Sequence, residues 1–112
     1  MFMRVQGKGK LIKIYISESH KYKSKPLHHV IVERAKKEDM AGITVYRGIE
    51  GFGMDHHIHS THILTLSDDL PLVLEIVDAA EKVDQFLRCL DELIKEGFVM
   101  IVDDVNIIKY LK

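Results

Sequence analysis

Four histidines, His56, His57, His59 and His62, follow three glycines, Gly48, Gly51 and Gly53, within the segment RGIEGFGMDHHIHSTH at residues 47–62. Imidazole nitrogens bind divalent metal ions. On an extended strand His57 and His59 point to one side about 7 Å apart at the backbone, a gap that two side chains can close around one ion. His62 is the third candidate ligand. No cysteine stands with them and no orienting carboxylate can be assigned, so exposed histidines without metal are the simpler reading. His28 and His29 adjoin on a helical pattern and face different directions, so they do not form a ligand pair. The glycines are a different matter. Gly51-Phe52-Gly53 is only a G-x-G fragment with no G-K-[ST] behind it, which excludes a P-loop and a Rossmann fingerprint. Glycines at a strand end supply unusual backbone angles, a bulge, or a pliant hinge where a long hairpin leaves a sheet. Direct backbone contact to a phosphate is the chemical alternative.

Other reactive constellations are missing. Asp68–Asp69 and Asp103–Asp104 are neighbours in turn-like contexts, with nothing to hold two carboxylates across a scissile bond. No serine, cysteine or threonine is tied to a histidine and an acid, so no enzyme activity is expected. Neither a basic helix nor a basic stripe interleaved with aromatics occurs, so nucleic acid is not an expected partner.

The elements around these residues are readable from periodicity. KLIKIYIS (10–17) alternates Ile12, Ile14 and Ile16 with polar or aromatic neighbours, the pattern of a strand. Pro26, tolerated in a first helical turn, precedes Leu27, Val30, Ile31 and Ala35 along one helical face, and Gly42 is the expected stop. ITVY (43–46) forms a strand leading into the glycines. THILTLS and LPLVLEIV, on either side of the turn-like SDD, read as one interrupted strand or two consecutive ones. The second helix starts from Asp78 and Glu81 at capping-box spacing. It carries the stripe Val83, Phe86, Leu87, Leu90, Leu93 and Ile94, and Gly97 stops it. FVMIV and VNIIKYL supply a further strand and a shorter partner.

The order β-α-β-β-α-β favours an α+β, ferredoxin-like sandwich: an antiparallel sheet with two helices on one face. LPLVLEIV and FVMIV are apolar on both alternations, so the second sheet face needs a cover, and self-association is the cheapest one. The 112 residues fit a single domain (1–112), large enough to bury roughly two-thirds of the unfolded surface, with a flexible hairpin loop at about 51–61. The lone Cys89 falls in an apolar helical pattern and is read as core. Lys13 interrupts the first apolar run, so no signal peptide or bilayer span is expected and a cytoplasmic location follows by default. Although net charge is only −1, the lysines at 8, 10, 13, 21, 23 and 25, with Arg4, are opposed before Pro26 only by Glu18, a possible local site for an anionic ligand.

AGITVYRGIEGFG followed by LPLVLEIVD resembles the PII nitrogen-regulatory superfamily, which carries a similar Gly-Phe-Gly, a long loop and a Leu-Pro strand. GKLIKIYISES, KPLHHVIVERA, GIEGFG, SDDLPLVLEIVD and LDELIKEGFVMIVDDV, in that order, are similar to the PII-like proteins grouped as domain-of-unknown-function family 190. The resemblance covers nearly all of residues 8 to 110. It implies a ferredoxin-like subunit in a homotrimer whose open sheet faces line the interior. It also implies a small-molecule effector cleft between subunits and a loop that signals to a partner, such as a membrane transporter or channel. Gly51, Phe52 and Gly53 match the loop-base motif and Gly97 the glycine that approaches nucleotide phosphates, while Lys109 and Lys112 correspond loosely to a C-terminal arginine pair. Phe98 stands where PII proteins carry a lysine, and HHIHSTH replaces their modified tyrosine segment. The implied effector is therefore an adenine nucleotide or small anion other than the ATP and 2-oxoglutarate pair, with Lys25 or Lys109 holding phosphates beside the glycine amides. The alternative that the histidines support is a metal-binding trimer similar to the divalent-cation tolerance proteins, with His57, His59 and His62 as ligands.

Overall fold

The computed structural model describes residues 3–53, 58–60 and 69–112. In chain order the elements are β1 (Met3–Ser17), β2 (Lys21–Tyr22), β3 (Lys25–Pro26), α1 (Leu27–Lys37), β4 (Thr44–Arg47), β5 (Glu50–Gly51), β6 (His59–Ser60), β7 (Pro71–Asp78), α2 (Ala80–Leu93) and β8 (Phe98–Leu111). The main sheet has the order β4-β7-β1-β8 with each neighbouring pair antiparallel. Both helices serve as crossovers on one face, giving the ferredoxin-like sandwich that the element order predicts.

Ile12, Ile14 and Ile16 of β1 and Leu72, Leu74 and Ile76 of β7 alternate inward, the period of two placing each set on the helix side. Leu27, Ile31 and Ala35 of α1 and Val83, Phe86, Leu90 and Leu93 of α2 close over them, and Cys89 is buried among these residues as expected.

Helix α2 ends at Leu93, short of the expected stop at Gly97, with Ile94 already extended, and further local features differ from the sequence reading. Helix α1 stops at Lys37, before Gly42, because Asp39 takes the left-handed conformation (φ 58°). The Met40 N–H then reaches the Ala35 carbonyl and the Asp39 N–H the Lys36 carbonyl, the reciprocal pair of a Schellman stop. The capping box of α2 does not form. Ala79 is the N-cap, and Asp78, still within β7 and facing the core, accepts from the Ala79 and Ala41 N–H groups at 2.7 and 2.8 Å. FVMIV and VNIIKYL form one strand, β8, and β1 begins at Met3 rather than Lys10, so the two run together as a long ribbon. Asp103 and Asp104 make a bulge in it opposite Lys10, with Asp104 at φ 56°, instead of a turn. Pro71 starts β7; the expected strand at residues 61–67 is not one of these differences, since it lies outside the described residues.

The second sheet face is open and largely apolar. Leu11 and Tyr15 of β1, Val73 and Val77 of β7 and Phe98, Met100 and Val102 of β8 share it by register. A polar cluster on it centres on Glu75, which accepts from the Tyr46 hydroxyl at 2.6 Å and lies 3.2 Å from Lys13 Nζ. The Tyr46 hydrogen bond, then Lys13, holds the Glu75 carboxyl below its ordinary value of 4.5. A depressed carboxyl contributes stability that is complete above the ordinary value and lost as pH falls through the folded one. The contribution should therefore fade below about pH 4.5. Tyr46→Phe should move the Glu75 midpoint upward in an NMR titration, and an unmoved midpoint would contradict this account of the cluster.

Candidate functional site

The roots of the long β4–β7 connection are tied together and to the end of β1. The Gly48 N–H donates to the Pro71 carbonyl at 2.7 Å, and the Glu18 N–H to the Leu70 carbonyl at 2.9 Å. Arg47 Nε sits 2.6 Å from Glu18 Oε2, and Asp69 accepts from the Ser19 N–H at 3.1 Å and from the Ser17 hydroxyl. Beyond this neck β5 pairs with β6, setting Gly51 opposite His59.

A cleft of about 350 Å³ opens beside the neck. One wall is the loop base, Glu50 to Gly53, with Gly48 and Pro71 beneath it. The other is the α2–β8 turn, Glu96, Gly97 and Phe98, and the floor comes from Tyr15, Ser17 and Val73 with His20 at the edge. Gly97 is at φ +144°, and a Cβ there would lie 2.7 Å from the Tyr15 carbonyl oxygen, so only glycine lets this turn press against β1. His20 Nδ1 accepts from the Ser17 N–H at 3.3 Å, which leaves Nε2 turned toward Glu96 Oε2 at 3.7 Å. The cleft therefore offers aromatic and aliphatic walls, the backbone of four glycines, one imidazole and two carboxylates. Such a set suits a flat ring with a few hydrogen-bonding groups.

Gly51, Phe52, Gly53 and Gly97 thus line the same cleft. The two lysines do not join them within one chain. Lys25 is exposed on the β2–β3 hairpin, and Lys109 pairs with Val5 far along the ribbon. His20, Glu50 and Glu96 are not singled out by the sequence reading, although Glu50 lies inside GIEGFG and Glu96 inside LDELIKEGFVMIVDDV. His57 and His62 lie outside the described residues, and only the backbone of His59 is placed, in β6. Among the described residues no group of three or more His, Cys, Asp or Glu side chains could hold a metal ion. Among the same residues no helix is long and apolar enough to cross a membrane. A smaller cavity of about 180 Å³ lies between Glu18, Arg47 and His28, on the helix side of β4.

Solved structures with the same layout are PII-like. The chain superposes with a TM-score of 0.66, at 17% identity, on CPII, a nitrogen regulatory PII-like protein from Thiomonas intermedia K12 solved with ADP, AMP and bicarbonate, covering 94% of this chain and 91% of that one. A second structure of CPII, with ADP and bicarbonate, gives 0.65 at 18% identity. At the level of sequence, residues 9–107 match the family DUF190, described as "Uncharacterized ACR", and the chain belongs to that family. It is 36% identical over 106 residues to a UPF0166 protein of Aquifex aeolicus strain VF5, covering 95% of this chain and 98% of the relative. A UPF0166 protein of Methanocaldococcus jannaschii is 34% identical over 102 residues, covering 91% and 94%.

Proposed function

We propose that the protein is a non-catalytic, cytoplasmic regulator that binds a small effector, an adenine nucleotide, in the cleft between the loop base and the α2–β8 turn. The observation that carries the reading is the convergence of Gly51, Phe52, Gly53 and Gly97, from segments far apart in sequence, on one cleft of ligand size. CPII, which shares the fold, was solved with ADP and AMP, and this supports the choice of nucleotide. The functional unit is a homotrimer whose members cover one another's open sheet face. Glycine amides contact the phosphate, and Lys109 reaches it from a neighbouring copy, with Lys25 as the alternative cation. Effector contacts made in only one arrangement of the 51–61 loop would shift that loop's population, and a partner such as a membrane transporter or channel would read it.

Metal-stripped protein assayed by thermal shift and calorimetry against AMP, ADP, ATP, cyclic nucleotides, zinc and copper tests the reading. A nucleotide should raise the melting temperature, and the rise should persist in His57→Ala/His59→Ala. Stabilisation by zinc alone, lost in that variant, would replace the proposal with a metal-binding one. No response to any ligand would leave a docking subunit without effector.

A further inference from the structure

We infer that the cleft selects against phosphate charge, so that its effector is a nucleoside or nucleoside monophosphate rather than a triphosphate. The inference rests on the nucleotide reading above and specifies the ligand class within it. The charged side chains lining the cleft are Glu50 and Glu96, and among the described residues no lysine or arginine lines it. Nor can the long loop supply one: from Gly48 to Glu81 the sequence contains no lysine or arginine, while it adds Asp55, Asp68 and Asp69. The walls that remain, Tyr15, Phe52, Phe98 and Val73, suit the base. The backbone of the glycines can meet a hydroxyl or a single phosphate without a cation. A triphosphate would put its extra charges beside two carboxylates. Even one lysine brought by a neighbouring copy leaves the acidic groups in the majority. At a separation of about 8 Å and an effective dielectric of about 40, each added charge facing one carboxylate weakens binding roughly fivefold.

The test is calorimetric titration of the full-length chain with adenosine, AMP, ADP and ATP, without magnesium, at low and high salt. Glu50→Gln/Glu96→Gln is run in parallel, with its melting temperature as a folding control. Both side chains are exposed, so the amides should fold normally. AMP should bind at least tenfold more tightly than ATP at low salt. That ratio should shrink toward one at high salt and in the amide variant. ATP binding as tightly as AMP would overturn the inference while leaving the nucleotide site intact. An AMP preference unchanged in the variant would overturn the assignment to Glu50 and Glu96. If none of the four binds, the nucleotide reading itself fails and takes this inference with it.

Discussion

Gly97→Ala is expected to lower the unfolding free energy by about 2–4 kcal/mol and to abolish effector binding. Two costs combine. The backbone at φ +144° is a region that residues with a side chain rarely adopt. The new methyl would also meet the Tyr15 carbonyl oxygen at 2.7 Å and Ile16 Cγ2 at 3.0 Å. Neither neighbour can yield cheaply, because the Tyr15 carbonyl belongs to a central strand and Ile16 to the core. The α2–β8 turn would have to retreat, taking Glu96 and Phe98 out of the cleft wall. Gly53→Ala is the control. A Cβ there meets nothing within 4 Å, so stability should change by less than about 1 kcal/mol. Urea denaturation of the two variants checks the pair, and equal destabilisation would mean that the tight turn at Gly97 has been misjudged.

The second large effect concerns assembly. If the open face is the interface of the proposed homotrimer, Met100→Glu/Val102→Glu should leave only monomer in light scattering, with an unchanged far-ultraviolet circular dichroism spectrum. In the single chain Phe98, Met100 and Val102 are 54%, 42% and 38% exposed on a strand with no outer partner among the described residues, which soluble monomers seldom tolerate over so long a run. Covering the exposed half of one such side chain is worth about 1 kcal/mol, and burying a carboxylate in its place costs more than that unless it finds a cation. Because both positions face outward in the subunit, the substitutions spare its core and act on association. A wild-type protein that is already monomeric, or a variant that remains trimeric, would remove the open face from the proposed interface.

How far the sequence reveals this arrangement depends on whether a signal is periodic or positional. The isoleucines of β1 and Val83, Phe86, Leu90 and Leu93 of α2 repeat with the period of their element, so their buried faces follow directly, while Leu87 is only partly buried and Ile94 falls beyond the helix. Stops and starts are single-residue events and were misread. Asp39 ends α1 in a conformation that glycine would advertise but aspartate does not, and Asp78 has capping spacing yet belongs to a strand that continues one residue further than expected. The adjacent acids at 103 and 104 look like a turn, whereas the ladder with β1 continues on both sides of them and absorbs them as a bulge. In the site Gly97 is legible because a positive φ and close approach to β1 leave only one residue type available, whereas Gly51 and Gly53 are marked by their motif. His20 and Glu96 were not, because their meeting depends on the packing of two connections. A carboxylate beside Gly97 and the cation-free stretch after Arg47 are the signals that could have shown the acidity of the cleft beforehand.

The most direct test of the effector site is an NMR titration of ¹⁵N-labelled protein with AMP. The account predicts saturable shifts concentrated at the Gly51, Gly53 and Gly97 amides and at Ser17 and Phe98, with a response at Lys109 from the neighbouring copy and little change along α1. Shifts confined to other parts of the molecule, or none at saturating nucleotide, would contradict it.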